Sequence, residues 1–444
     1  MNLVLSKFKN KVCTLTINRP EQYNALNIDV LKELDAQFDA ISNQKDCRAV
    51  ILTGMGDKAF IAGVYEHPTR KETDKSVAQL HAESAAGALN DAGLGPDDVD
   101  AYYCAGDAPG LGSLSMIDYM GLKNIRHMDS TETGGSSYVV HVGHAAQAIA
   151  MGKANVALIT LAGRPRADGM ATGTAPRNYD STAPDVPFEF IYSPTVANMY
   201  AMAARRHMYQ FGTTSEQLAW IKVAASHHAQ HNEYAMLRNV VTVEDVINSP
   251  MISDPLHRLD CCVISDGGGS IVVTSPEVAK SLKRDCIKIL GHGEAPKSID
   301  NGQVDLTYTG ARWSGPIAFQ EAGLSPSDID YASIYDSFTI TVLETIEDLG
   351  FCEKGQGGAF VSDGNLISGQ GALPFNTDGG GLCNNHPMNR GGLTKVLEAV
   401  RQLREEAHPA VQVKNCQVAL AHGTGGSIGT RMASSTVVLG RADS

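Results

Sequence analysis

The chain has 444 residues, 43% hydrophobic and 19% charged, and a net charge of −13 without clustered Lys or Arg, which argues against a nucleic-acid partner. That length supports two or more packed cores. No apolar run reaches the roughly 18–20 residues needed to span a bilayer, the opening MNLVLSKFKNKV lacks the apolar stretch of a secretion signal, and the nine cysteines have no zinc-like CxxC spacing, so a cytoplasmic protein with reduced thiols and no metal site is expected.

Residues 11–54 read strand, helix, strand. Val12, Thr14 and Thr16 form one β-prone run and Val50, Ile51 and Leu52 another. Between them Ile28, Leu31, Leu34, Phe38 and Ile41 recur at helical spacing, with Asn27 and Asp29 placed to cap the helix start. The stretches TLTINRPEQYNALN (14–27) and RAVILTGMGDKAFIAG (48–63) resemble the start of the enoyl-CoA hydratase (crotonase) family. The resemblance stops at Gly63. The family's Ala-Asp continuation is replaced by Val64-Tyr65-Glu66, and its second oxyanion glycine and acidic catalytic residues have no counterpart. About fifty residues bury too little to hold a core alone. Residues 1–54 are therefore expected to be a truncated, non-catalytic segment, either an appendage docked on the main body or a poorly ordered tail.

The body that follows repeats itself. ALNDAGLGPDDVDAYYCAGD (88–107) resembles AFQEAGLSPSDIDYASIYDS (318–337). Each predicts a helix ending at an AGL turn, a Pro-led single turn and a strand. A second pair follows in the same order. GGSSYVVHVGHAAQAIAMGKANVALI (134–159) resembles GGLTKVLEAVRQL with CQVALAHGTGG (391–426). Alternating strands and helices predict parallel sheets with crossover helices, and two ordered copies predict two similar α/β halves. Between the copies, residues 164–255 are rich in Gly, Pro, Ser and Thr and then helical, the pattern of an inserted lid or substrate-binding loop domain. Tyr192, Met199 and Met202 there read equally well as pocket wall or as core. Asp266-Gly267-Gly268-Gly269 reads as a tight turn, lacking the spacing of a phosphate cradle, and His141, His144 and His257 read as structural.

Residues 55–444 resemble the sterol-carrier and lipid-transfer type of the thiolase superfamily along their whole length. The resemblance rests on VYEHPTR with DKSVAQLHAE, on SDPLHRLDCCVISDGGGSIVV (253–273), on YDSFTITVLETIEDLGFCEKGQGGAF (335–360), on GGGLCNNHP (379–387) and on AHGTGGSIG (421–429). It implies a layered αβαβα body, with a first half over 55–285 carrying the loop domain and a second half over 286–444. It also implies an acyl-CoA substrate, coenzyme A only as part of that substrate, no permanently bound cofactor, and a homodimer.

The family's nucleophilic cysteine, at the start of the buried helix of the first half, falls on Glu132, and no cysteine lies between Cys104 and Cys261. A carboxylate suits a helix N-terminus electrostatically but is a poor thioester nucleophile. The family's His-Asp-Cys-Phe motif stands here as Tyr335-Asp336-Ser337-Phe338. Its Gly-His-Pro histidine is retained as His386, and the resemblance implies that Asn385 before it, with His422, Gly423, Gly425 and Gly426 of the Gly-rich turn, lines the substrate pocket and oxyanion site. Tyr335 is suited to donate a proton to an enolate oxygen and His386 to act as base or enolate stabiliser. Glu132 or Asp336 would then orient or relay protons, and Ser337 cannot act as acid or base near pH 7 without help.

This replacement pattern resembles the lipid-transfer-type aldolases. They cleave a β-hydroxyacyl-CoA to a ketone and a shorter acyl-CoA, and they work with a small partner carrying an OB fold and a zinc ribbon. Acyltransferase (thiolase) activity through an atypical nucleophile, or a non-catalytic acyl-CoA or lipid-binding subunit, remain open alternatives at this point.

Overall fold

The computed structural model describes residues 2–9, 11–19, 26–54, 58–171, 182, 195–298, 300, 303–387 and 391–442. Tyr192 and Met55 lie outside them. The first unit contains β1 (Val4–Lys9), β2 (Val12–Ile17), α1 (Ile28–Ser42) and β3 (Ala49–Gly54), with β2 antiparallel to β1 and parallel to β3. The strand–helix–strand reading holds, with β1 added in front. Asn27 caps α1 by accepting the Val30 N–H. Cys13, Leu15 and Ile17 alternate inward against Val30 and Leu34, forming a small core of their own. The expected apolar stripe of α1 is only partly used: Leu34 is buried, but Ile28, Leu31 and Phe38 are exposed. Three short strands cover one narrow side of a helix and no more.

The body begins with β4 (Phe60–Glu66), α2 (Val77–Ala92), β5 (Ala101–Tyr103), α3 (Ser113–Tyr119), β6 (His127–Asp129), α4 (Ser137–Ala150) and β7 (Val156–Gly163). The insertion carries α5 (Val196–Phe211), α6 (Ser215–Ala229), α7 (Val243–Ile247), β8 (Met251–Ser253) and β9 (Leu256–His257). The first half closes with β10 (Gly267–Thr274) and α8 (Pro276–Ser281). The second half contains β11 (Ile287–Lys297), α9 (Ala311–Ala322), β12 (Tyr331–Ile334), α10 (Thr339–Asp348), α11 (Gly357–Val361), α12 (Gly380–Cys383), α13 (Gly392–Leu403), β13 (Val418–Gly426) and β14 (Met432–Gly440).

The large sheet runs β12-β13-β14-β11-β4-β10-β7-β5-β6. Outward from the junction, the first half reads β4-β10-β7-β5-β6 and the second β11-β14-β13-β12, so corresponding strands occur in the same order. The halves join where Ile287 and Lys288 pair with Ile61 and Phe60. The predicted repeat is visible in detail. α2 and α9 both end at a left-handed glycine, Gly93 (φ 73°) and Gly323 (φ 71°), and each is followed by a Pro-led turn and a strand.

The sheet is not wholly parallel, as the alternation of elements had implied. β5 pairs in parallel with β6 and β7, and β12 with β13, but β10 and β4, and β14 and β11, run antiparallel to their neighbours. The cause is local. β13 returns to β14 through Ser427–Arg431, and so short a turn joins only antiparallel strands. In the first half the corresponding hairpin is β7–β10, and the whole insertion occupies its turn.

Alternate strand residues face two helical layers. Ala157, Ile159 and Leu161 share a core with Tyr138 and Val142 of α4 and Leu393, Val396 and Val400 of α13. Val156 and Leu158 pack instead with Ala85 and Leu89 of α2. In the insertion Met199 is fully buried, whereas Met202 is exposed. Among the described residues no helix is long and apolar enough to cross a membrane.

Candidate active site

Tyr335 leaves the end of β12, where its N–H donates to the carbonyl of His422 on the neighbouring strand at 3.0 Å. Its side chain meets His386, which follows α12. Tyr335 Oη lies 2.9 Å from His386 Nε2, with the two rings at 66°. Both side chains are buried. The His386 N–H donates to Ser265 Oγ at 2.9 Å. Glycines make room for the pair. A Cβ on Gly135 would lie 2.6 Å from the Tyr335 ring and 2.3 Å from the Thr424 carbonyl, and one on Gly391 would lie 3.2 Å from His386 Cδ2. Above the Tyr335 turn, Tyr200 of α5 stacks on Phe338 at 4.3 Å, so the inserted domain reaches the site.

Burial dominates the protonation states. It pulls His386 down to about 4, the nearby Asp336 carboxylate only partly opposing it, so the imidazole is neutral at pH 7. Burial also pushes the Tyr335 phenol well above its usual range, keeping its proton in place. The pair is thus a neutral donor next to a neutral acceptor. Cys262 adjoins the site, its N–H donating to the Ser337 carbonyl at 2.9 Å, but burial pushes its thiol far above the thiolate range.

The remaining residues anticipated from the motifs have other partners. The Asp336 carboxylate accepts from the N–H groups of Gly381 (2.8 Å) and Leu382 (3.1 Å) and from Lys395 Nζ (2.8 Å). It therefore pins the start of α12, and with it the turn that carries His386. Ser337 Oγ is 3.0 Å from Thr341 Oγ1. The exposed Glu132 accepts from the N–H groups of Gly106 at 2.6 Å and Gly134 at 2.7 Å. His422 is bound through Nδ1 to Thr436 Oγ1 at 2.8 Å, its Nε2 is buried without a hydrogen-bond partner among the described residues, and burial brings it down to about 3. Gly423 and Gly425 let β13 approach the start of α4, since a Cβ would fall 3.0 Å from Ser136 Cα and 1.6 Å from the Thr133 carbonyl respectively; Gly426 takes a positive φ of 79°. Asn385 donates from Nδ2 to Glu66.

Lys395, Ser265, Cys262 and Glu66 were not anticipated. Lys395 had a faint signal, a charge within the apolar text GGLTKVL that opens α13, and it is buried against Asp336. A cavity of about 580 Å³ is lined by Glu66, Arg70, Asp378, Glu398 and Arg401, and by neither Tyr335 nor His386. Among the described residues no group of His, Cys, Asp and Glu is arranged to hold a metal ion.

A duplicated α/β body with an insertion in the first half's hairpin, and with Tyr335 and His386 of the second half meeting beside Gly135 of the first, is the plan of a thiolase-type protein. The comparisons agree. The thiolase C-terminal domain-like family matches residues 293–441, and the enoyl-CoA hydratase/isomerase family matches residues 7–85, a span that runs through β4 into α2 of the large body. An acetyl-CoA acetyltransferase of Methanothermobacter thermautotrophicus is 34% identical over 85% of this chain and 98% of its own. A steroid side-chain-cleaving aldolase of Thermomonospora curvata is 35% identical over 78% of this chain and 90% of its own. The solved structure described as the Ltp2-ChsH2(DUF35) aldolase superposes with a TM-score of 0.78 at 31% identity, covering 86% of this chain and 98% of that one. The chain belongs to the thiolase superfamily.

Proposed function

We propose that the protein is an acyl-CoA carbon–carbon lyase that cleaves a β-hydroxyacyl-CoA by retro-aldol chemistry. The observation that carries this reading is the buried 2.9 Å contact between Tyr335 Oη and His386 Nε2, beside a thiol that burial holds protonated. On substrate binding the Tyr335 hydroxyl turns from His386 Nε2 to the thioester oxygen, and the freed imidazole, neutral at pH 7, accepts the β-hydroxyl proton. As the C–O bond becomes a carbonyl, the Cα–Cβ bond breaks and its electron pair moves into the thioester, giving an enolate. Tyr335 donates a hydrogen bond to the enolate oxygen, and the proton held by His386 passes to Cα, which releases the shorter acyl-CoA and restores the neutral imidazole. Each of these contributions is worth roughly a hundred-fold or more in rate. Among relatives, the steroid side-chain-cleaving aldolase and a 17-hydroxy-3-oxo-4-pregnene-20-carboxyl-CoA lyase of Mycobacterium tuberculosis, 33% identical, favour a bulky lipid acyl group.

The same reading includes a small OB-fold and zinc-ribbon partner, supported by the two-component solved aldolase. It includes a homodimer formed across an edge of the large sheet, as in the family the chain belongs to. It places the protein in the cytoplasm, where its nine free cysteines would stay reduced. Coenzyme A enters as part of the substrate, with no permanent cofactor.

The test is product analysis. Purified protein, with and without such a partner, is given a β-hydroxyacyl-CoA and, separately, a β-ketoacyl-CoA. Ketone or aldehyde released together with a shorter acyl-CoA, without added free coenzyme A, is the expected result. Cleavage of the β-ketoacyl-CoA only when free coenzyme A is supplied would move the assignment to acyltransferase, and tight binding with no product would move it to a binding subunit.

A further inference from the structure

Glu66, at the end of β4, lies far from Tyr335 in sequence and outside every motif that pointed to the site. Its carboxylate is buried, 7% exposed, and it gathers donors from three parts of the chain. Arg70 Nη2 reaches Oε1 at 2.5 Å and Arg401 Nη1 reaches Oε2 at 2.9 Å. Asn384 Nδ2 lies 3.2 Å from Oε1, and Asn385 Nδ2 donates to the same oxygen. Burial alone would raise this carboxyl, but Arg401 and Arg70 bring it down to about 2, so it is ionised throughout the working range.

Asn385 directly precedes His386. A carboxylate only accepts hydrogen bonds, so the amide must turn Nδ2 toward Glu66, and its orientation is fixed. Its Oδ1 is buried without a hydrogen-bond partner among the described residues. The turn carrying His386 is also held on its backbone, by Asp336 at the Gly381 and Leu382 N–H groups, by Ser265 at the His386 N–H, and by the Met236 and Leu237 N–H groups at the Asn384 and Cys383 carbonyls. Glu66 adds a hold on the side chain of the adjacent residue, and Arg70, which also bonds Asn384 Oδ1 at 2.9 Å, braces the same point.

We propose that Glu66 is a positioning residue for His386, acting through Asn385. A glutamine at this position keeps one acceptor oxygen and sets an NH₂ group against the same four donors, so the amide of Asn385 loses its fixed direction. The rate consequences rest on the retro-aldol reading; the geometric consequence does not.

The experiment measures Glu66→Gln, Asn385→Ala and the double variant in the full chain. Two readouts are needed: kcat and KM for β-hydroxyacyl-CoA cleavage, and the downfield proton resonance of the Tyr335–His386 hydrogen bond. Each single variant is expected to lower kcat by roughly tenfold to a hundredfold with KM changed less than about threefold. The double variant should be no slower than the worse single one, because both remove the same link. The resonance should shift or broaden in all three. Should Glu66→Gln fail to fold, Asn385→Ala still decides, since it leaves Glu66 with both arginines. Unchanged kcat per folded molecule in Asn385→Ala, an unmoved resonance, or additive losses in the double variant would overturn the proposal. If the wild type cleaves no β-hydroxyacyl-CoA while the resonance moves in the variants, the positioning role stands and the reaction assignment falls.

Discussion

The two halves of the body share a strand order and a helix plan, yet they bring different things to the site. Their correspondence reaches single hydrogen bonds. Ser137 Oγ donates to the Gly134 carbonyl at the start of α4, and Thr394 Oγ1 donates to the Gly391 carbonyl at the start of α13, both at 2.7 Å. One position further along, Tyr138 donates to Asp107 and Lys395 to Asp336, so each central helix reaches a carboxylate just beyond a β-strand. The difference lies beside those carboxylates. The position matching Tyr335 is Ala105 in the first half, and the position matching Asp336 is Gly106. On the proposed reading the first half thus contributes shape, chiefly Gly134 and Gly135, and the second contributes the proton-carrying pair Tyr335 and His386. Duplication supplied the scaffold twice, and side chains suited to acid–base work stand in one copy.

Predictions that break or sharpen this contrast run from large to small. Asp336→Ala strands Lys395 as a buried, unpaired charge, and a loss of about 3–5 kcal/mol in unfolding free energy is expected by denaturant titration. Tyr335→Phe and His386→Ala are each expected to reduce kcat a hundred-fold or more, whereas full activity in both would place the chemistry elsewhere. Gly135→Ala tests the first half's contribution. Its Cβ would meet the Thr424 carbonyl at 2.3 Å, backbone that cannot give way cheaply, so a cost of about 1–3 kcal/mol and a lowered Tm are expected, together with a displaced Tyr335 and reduced kcat. Glu132→Gln should cost less than about tenfold in rate, because that carboxylate holds the N–H groups of Gly106 and Gly134.

The pH dependence follows from His386. Its folded value, about 4, is below the ordinary histidine value, so the unfolded chain takes up this proton first as pH falls. The stability linked to His386 is therefore fully present above about pH 6.5 and declines as pH drops toward 4. Catalysis that needs the neutral imidazole should likewise keep its acid limb well below 6.5, which a pH profile of kcat/KM with a pH-independent substrate measures directly.

Much of this was legible in the sequence, because the informative signals were local. The AGL turns, the Pro-led single turns and the Gly-Gly helix starts are short-range stereochemistry, and they gave both halves and the place of the insertion. Tyr335 and His386 were legible through motifs, although their contact spans 51 residues. What escaped was decided by distant partners. The antiparallel strands depend on a five-residue turn in one half and a whole domain in the other. The role of Asp336 depends on Lys395, and that of Glu66 on Asn385, 319 residues away. In α1 the periodicity gives the helix and its apolar face, but not that Ile28, Leu31 and Phe38 are left uncovered, since periodicity reports which face is apolar and not whether anything covers it.

The central claim is that Tyr335 and His386 cleave the carbon–carbon bond with no covalent acyl-enzyme. Quenching the protein during turnover of a β-hydroxyacyl-CoA and weighing it intact tests this most directly. An unchanged protein mass while ketone and shorter acyl-CoA accumulate is the predicted result. A population heavier by one acyl group, on a cysteine or on Glu132, would contradict it.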